Sequence, residues 1–247
     1  MIRWVHVFID VPAELARDTE RFWSAVTGWP TGRRWDHHPE FVTLEPPSGA
    51  AAYTHVQTIG GPPRVHLDLV VEPDTSVNTE RERIEGLGGT VGERHRWWQV
   101  MRSPTGLPFC LTVEHEPLVA PTAPVWPGGH RSRLAQLCID VPHDDYGPEL
   151  AFWTGVTGWR RGASRRPEFE FLSPPKGCPV QLLMQQLGAT DGATATRAHI
   201  DLGTDDVDAE VARLEELGSK QVARVGSWRI MSDPSTGLPY CVTRQRP

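Results

Sequence analysis

Hydrophobic and polar positions alternate, pass into helical spacing and alternate again, and this happens four times along the chain. Residues 4–11 alternate as a strand, with Val5, Val7, Ile9 and Val11 on one side and His6, Phe8 and Asp10 on the other. Pro12 ends it. Over 14–27, Leu15, Phe22, Trp23 and Val26 stand at helical spacing, and Gly28 is a natural stop. Residues 40–44 and 51–57 read as strands parted by a turn at Pro46-Pro47-Ser48-Gly49. The pattern then restarts. A strand over 64–71 sets Val65, Leu67 and Leu69 against His66, Asp68 and Val70. A charged amphipathic helix over 76–87 closes at Gly88-Gly89, and strands over 97–102 and 108–114 are joined by Ser103-Pro104-Thr105-Gly106. In the second half the last helix is the clearest: Val207, Val211, Leu214 and Leu217 form a stripe behind Asp205-Asp206, which suit a cap.

The two halves are copies. Asp10-Val11-Pro12, Phe22-Trp23 and Val26-Thr27-Gly28-Trp29 return as Asp140-Val141-Pro142, Phe152-Trp153 and Val156-Thr157-Gly158-Trp159. Pro39-Glu40-Phe41 returns at Pro167, Val65-His66-Leu67-Asp68-Leu69 as Ala198-His199-Ile200-Asp201-Leu202, and Gly106-Leu107-Pro108-Phe109-Cys110 as Gly237-Leu238-Pro239-Tyr240-Cys241. Order is kept and gaps shift by a few residues, so a whole domain is duplicated. The expected boundaries are a first domain over 1–116, a Pro-rich linker over 117–129 and a second domain over 130–247. At 247 residues the chain gives each domain enough length for its own core.

Net charge is −6 with both signs interspersed, which argues against nucleic acid as a partner. No apolar run reaches the roughly 20 residues of a membrane span. The first residues lead straight into a strand, so no signal peptide is read, and four cysteines without a CxxC pair suit a reducing cytoplasm. The expectation is a cytoplasmic monomer or homodimer whose partner is a small organic molecule. There is no GxGxxG after a strand, no phosphate loop and no Ser-His-Asp order to build on. His37-His38, Arg33-Arg34 and Arg160-Arg161 read as solvated loops.

A strand carrying His, followed by a helix ending F-W-x-x-V-T-G-W, resembles the glyoxalase/bleomycin-resistance/dioxygenase (vicinal oxygen chelate) superfamily. R-V-H-L-D-L, a helix, Gly-Gly and then W-x-V-M-x-S-P-x-G-L-P-F-C resembles its glyoxalase-like branch. The resemblance covers about 4–114 and 134–244. It implies an α+β fold: tandem domains, each of two βαβββ modules forming a curved mixed sheet around a concave pocket. Metal isomerases, metal dioxygenases, thiol transferases and drug-sequestering proteins share that fold, so the fold does not choose among them.

In metal-using members the ligands come from the first and last strands of the modules. The resemblance therefore points to His6 and its repeat Gln136, and to His66 and its repeat His199. Cys110 and Cys241 stand where a glutamate is usual, and the remaining position falls near Tyr53 or His55 in the first domain and near Gln181 in the second. Asp10 and Asp68 share faces with His6 and His66. These residues, with Trp97, Trp98 and Trp228 near the last turn, make up the expected ligand pocket. Trp23 and Trp153, on a helical stripe, are expected in the core.

A thiol in the glutamate position removes the base that glyoxalase I chemistry needs and breaks a two-His-one-carboxylate set. No cofactor is therefore expected. The alternative is a divalent metal (Zn, Ni or Fe) on His6 and His66 in the first domain, serving a lyase, isomerase or dioxygenase. On a blander reading, the His-x-Asp pairs bond neighbouring backbone and the cysteines are small apolar fillers. A nucleophilic Cys110 would need His6 or His66 as its base. The first copy holds His6, His55 and His66 against Gln136, Leu183 and His199, and Trp97 against Ser227, so the first domain is the expected ligand site.

Overall fold

The computed structural model describes residues 1–47, 49–245 and 247; Ser48 of the expected Pro46–Gly49 turn and Arg246 lie outside the described residues. Each repeat builds one curved, mixed, eight-stranded sheet. The first contains β1 (Ile2–Val11), β2 (Thr31–Trp35), β3 (His38–Leu44), β4 (Thr54–Thr58), β5 (Arg64–Val71), β6 (Thr90–Arg94), β7 (Trp98–Arg102) and β8 (Pro108–Val113). Their order across the sheet is β2-β3-β4-β1-β5-β8-β7-β6. The second contains β9 (Ser132–Val141), β10 (Arg160–Ala163), β11 (Phe169–Ser173), β12 (Gln181–Gln186), β13 (Arg197–Thr204), β14 (Lys220–Val225), β15 (Trp228–Ser232) and β16 (Pro239–Arg244) in the equivalent order. Helices α1 (Ala16–Thr27), α2 (Val77–Gly86), α3 (Tyr146–Thr157) and α4 (Val207–Glu216) link the strands.

The expected helix signals act as read. Gly28 and Gly158 end α1 and α3 in the left-handed conformation, where a Cβ would be strained. Ser76 and Asp206 cap α2 and α4 by accepting the amides of Thr79 and Ala209. His38, expected with His37 in a solvated loop, instead opens β3 and is half-buried, and two further expectations fail. Arg33-Arg34 and Arg160-Arg161 lie in strands β2 and β10 rather than in loops, and β6 and β14 are further strands that the pattern did not announce. All four are sheet edges, largely exposed and charged, so no buried face imposes a period of two on them.

Proximity of Cα atoms groups the chain into two compact units, neither of them continuous. One gathers Met1–Val7, His66–Leu118 and Leu137–Ala198; the other gathers Phe8–Val65, Val119–Gln136 and His199–Pro247. Each unit thus draws strands and helices from both repeats. The aromatic repeat signatures explain why. In the second unit, Phe22 and Trp23 of α1 pack on Tyr240 of β16 at ring separations of 6.1 and 5.5 Å. In the first unit, Phe152 and Trp153 of α3 pack on Phe109 of β8 at 6.0 and 5.2 Å. Trp23 and Trp153 are core residues, as expected.

Arginines repeat the reciprocity. Arg213 of α4, ion-paired with buried Glu210, donates to the carbonyls of Ala25 and Val26 at the end of α1. Arg83 of α2, paired with Glu80, donates to those of Gly155 and Val156 at the end of α3. A cation on the last carbonyls of a helix satisfies orphan acceptors and opposes the macrodipole. No helix among the described residues is long and apolar enough to cross a membrane.

Candidate ligand site

The alternation along each strand separates two faces. Phe109 and Tyr240 point to the face where α3 and α1 pack, so their neighbours Cys110 and Cys241 point to the other. On β5 and β8 the parallel register sets Asp68 opposite Cys110, and on β13 and β16 it sets Asp201 opposite Cys241. His66 and His199 sit two residues before these aspartates and share their face. The structure therefore brings together two equivalent clusters, His66–Asp68–Cys110 and His199–Asp201–Cys241, whose donor atoms lie within 4.8 Å of one another in each. His66 Nε2 stands 3.3 Å from Asp68 Oδ1, His199 Nε2 stands 3.3 Å from Asp201 Oδ1, and Cys241 Sγ lies 3.6 Å from His199 Nε2.

Burial pushes the Cys110 thiol up to about 12; the charge of Asp68 adds to the rise and His66 opposes it. Without a cation the thiol stays protonated near neutral pH and is a poor nucleophile. His6 stands outside the cluster. Its Nε2 lies 3.4 Å from Glu114 Oε1, and that contact holds the Glu114 carboxyl below its usual range. Glu114 was not anticipated: the carboxylate sought at Cys110 occurs four residues later, an even spacing from it.

In the second unit, β1, β2, β3 and β4 carry an aromatic wall. The antiparallel register places Phe41 opposite Gln57 and Thr43 opposite His55. The Phe8 and His55 rings stack at 4.6 Å and 20°, and those of Trp35 and Phe41 at 4.9 Å and 28°. Phe8 also meets Phe41 edge-on at 5.8 Å. Polar bonds fix the wall, Trp35 Nε1 donating to Thr43 Oγ1 at 2.9 Å and Thr43 Oγ1 lying 3.1 Å from His55 Nδ1. Of this group only His55 was singled out from sequence. Phe8, Trp35, Phe41 and Thr43 gave no signal on their own, because strand register brings them together.

The other expected residues fall in varied surroundings. Asp10 is fully buried and accepts from Arg64 Nε at 2.7 Å, and its repeat Asp140 meets Arg197 at 3.3 Å. Tyr53 is buried against Trp29, its hydroxyl donating to the Leu134 carbonyl at 2.8 Å. Gln136 is buried on β9 and Gln181 is half-buried on β12. Trp98 is half-buried and stacked on His95 at 4.4 Å, Trp228 is half-buried, and Trp97 is 62% exposed beneath the Arg96 guanidinium.

The family resemblance implies a metal on two His and a carboxylate. Here the converging donors of each repeat are one imidazole, one carboxylate and one thiol, and His6 is outside the set. The residues do not fit the two-His-one-carboxylate arrangement of non-haem iron.

Comparison with known proteins agrees with this architecture. The structure is similar to the Mn(II)-bound glyoxalase from Novosphingobium aromaticivorans, with 15% identity, a TM-score of 0.71 and coverage of 98% of this chain and 82% of that one. It is also similar to BphC, a halotolerant catechol dioxygenase, with 16% identity, a TM-score of 0.66 and coverage of 99% and 87%. A third similar structure is 2,2',3-trihydroxybiphenyl 1,2-dioxygenase from Sphingomonas wittichii strain RW1, with 17% identity, a TM-score of 0.64 and coverage of 99% and 91%. At such identities the likeness establishes the fold alone. A search of curated proteins found no match. The glyoxalase-like domain model matches residues 6–112 and again 136–243. With both repeats matched over most of their length, the chain belongs to the glyoxalase-like domain family, as two tandem domains of the vicinal oxygen chelate fold.

Proposed function

We propose that the protein binds a small, planar organic molecule on the faces of its sheets turned away from the helices, and that it acts as a binding or sequestering protein. One observation carries this reading. A sheet face that served only as core would be apolar, yet this one holds buried His6, His66, Asp68 and Cys110, and the matching face of the second sheet holds buried Gln136, Asp201 and Cys241 with half-buried His199. Titratable groups are rarely buried for packing alone, and their gathering on one face supports a ligand site here. The Phe8–His55 and Trp35–Phe41 stacks add flat aromatic surface that suits a ring, and Thr43 and His55 add polar atoms that would orient it.

Glyoxalase-type proton transfer is disfavoured because Cys110 and Cys241 occupy the glutamate position, and a thiol held neutral at Cys110 is a poor general base. Solved neighbours named for phenolic substrates make phenols the first ligands to test. Catechol and 1-naphthol should quench tryptophan fluorescence saturably, with the probe recovered intact. Replacing Trp35 with Phe should remove most of the signal while leaving the affinity within a few-fold. Absence of saturable binding by any planar phenol, or conversion of the probe during the titration, would overturn the reading.

A further inference from the structure

We propose that the ligand of the aromatic wall is a planar aromatic carboxylic acid, its carboxylate held by Arg64 and Gln57 beside the buried Asp10. The inference rests on the reading of that wall as a ligand site and names the class of molecule it takes. The wall and these three residues lie within one compact unit.

Strand alternation sets the place. On β1, Asp10 follows Phe8 on the same face, about 6.6 Å farther along. β4 runs beside β1, with the His55 ring stacked on Phe8 at 4.6 Å and the Ile59 amide donating to the Val11 carbonyl at 2.8 Å, so Gln57 falls level with Asp10. Arg64 opens β5 on the other side of β1, and its Nε donates to Asp10 at 2.7 Å. Register between β3 and β4 sets Gln57 opposite Phe41. A polar row of Arg64, Asp10 and Gln57 thus ends on Phe41 and borders the Phe8–His55 stack.

Donors without an acceptor make the second step. The Asp10 side chain is 0% exposed and fixes the guanidinium through Nε, while the Arg64 side chain is 49% exposed. The terminal nitrogens of Arg64 donate to no group among the described residues, and neither does the amide of half-buried Gln57. A carboxylate accepts end-on from the terminal nitrogens of a guanidinium in a planar, charge-assisted pair. The ring that carries it then covers the step to Phe8 and His55. Because Asp10 already holds the guanidinium, binding does not bear the cost of ordering a free arginine side chain.

The second copy keeps these residues but engages them. Asp140, Gln185 and Arg197 repeat Asp10, Gln57 and Arg64, and Phe169 stands opposite Gln185 as Phe41 does opposite Gln57. There Cys138 replaces Phe8, its Sγ 3.6 Å from Asp140 Oδ1 and 3.7 Å from Gln185 Oε1. Arg197 lies 3.3 Å from Asp140 and 3.9 Å from Asp191. One arginine between two carboxylates has no charge left for an incoming anion, and a cysteine gives no ring to stack on. The acid site therefore belongs to the first copy.

The test is equilibrium dialysis of the full chain against 2-naphthoate and 2-naphthol at about pH 7.5, where the first is an anion and the second is neutral. Wild-type protein should hold 2-naphthoate about tenfold more tightly, and the margin should shrink as salt is raised. The double variant Arg64→Met with Asp10→Asn removes both charges, so that no buried carboxylate is stranded. It should bind 2-naphthol within about twofold of wild type and lose the preference for 2-naphthoate. Arg64→Lys keeps the charge and loses the planar fork; it should weaken 2-naphthoate about threefold, and it carries the test where the double variant unfolds. Arg197→Met should change neither affinity. Failure of 2-naphthol to bind would overturn the wall as a ligand site, and this proposal with it. If 2-naphthol binds, the wall stands, and three results would each overturn the carboxylate assignment alone: 2-naphthoate bound no more tightly, a folded double variant that keeps the preference, or a preference lost with Arg197→Met.

Discussion

The two copies solve one problem with carboxylates in opposite places. Trp23 of α1 donates its indole N–H to Asp233, in the turn before β16, at 2.8 Å. Its repeat Trp153 donates instead to Glu149 of its own helix at 3.0 Å, and Glu149 also accepts the Thr105 amide in the turn before β8. In the first case the helix position one turn before the tryptophan is Thr19, which reaches Ser235; in the second the turn begins with Ser103. Thr19 with Asp233 and Glu149 with Ser103 are thus the same pair of positions with the acid exchanged. A buried indole N–H needs an acceptor, but either chain segment serves, provided helix and turn lie in one unit. The aromatic packing constrains the architecture, and the polar bookkeeping can move.

The largest effect should come from breaking that exchange. Asp233→Ser leaves the Trp23 indole without its acceptor and removes the turn bonds to the Ser235 amide and hydroxyl and to the Thr236 amide. Urea unfolding should show a loss of about 3 kcal/mol. Adding Thr19→Glu should recover about half, since it imports the other copy's solution; a strictly additive double variant would refute the equivalence.

The arginine caps sharpen the comparison. Arg213 is mostly buried, lies 3.7 Å over Trp126 and pairs with fully buried Glu210, whereas Arg83 is more exposed. Arg213→Ala should cost about 3 kcal/mol, because it removes a mostly buried cation that packs on Trp126, caps α1 and shares the buried Glu210 with His130. Arg83→Ala should cost about 1 kcal/mol. Equal losses would contradict the burial argument.

A smaller effect concerns His55, which the second copy replaces with Leu183. Importing that difference as His55→Leu should lower 1-naphthol affinity about tenfold, the equivalent of about 1.4 kcal/mol, with little change in the melting temperature. The smallest effect is acid-side. The His6 contact lowers the Glu114 carboxyl, so it adds stability above the unfolded carboxylate value, and that stability is lost as pH falls through the lowered folded value. His6→Gln, the second copy's residue, should therefore show a urea midpoint deficit near pH 6 that shrinks toward pH 3. A deficit that grows on acidification would reverse the sign.

Much of this was legible in residues alone. The duplication, the four strand–helix units, the caps at Gly28 and Asp206 and the shared face of His6, His66 and Asp68 follow from local periodicity. Edge strands β2, β6, β10 and β14 did not show, because exposed charged strands carry no alternation. Phe8, Trp35 and Phe41 did not show, because a stack depends on strand register. Glu114 was hidden for a related reason: the search for a carboxylate stopped at the position after the turn. The mixed composition of the units escaped for the same cause, since Phe22-Trp23 and Leu238-Pro239-Tyr240 read as separate repeat signatures until packing joins them.

The most direct test of the functional account is equilibrium dialysis of 1-naphthol against the full chain, wild type and His55→Leu side by side. The account predicts saturable binding at the site carrying the aromatic wall, weakened about tenfold by His55→Leu and unchanged by Leu183→Ala. Binding that is absent, or that is indifferent to His55→Leu and lost with Leu183→Ala, would contradict it.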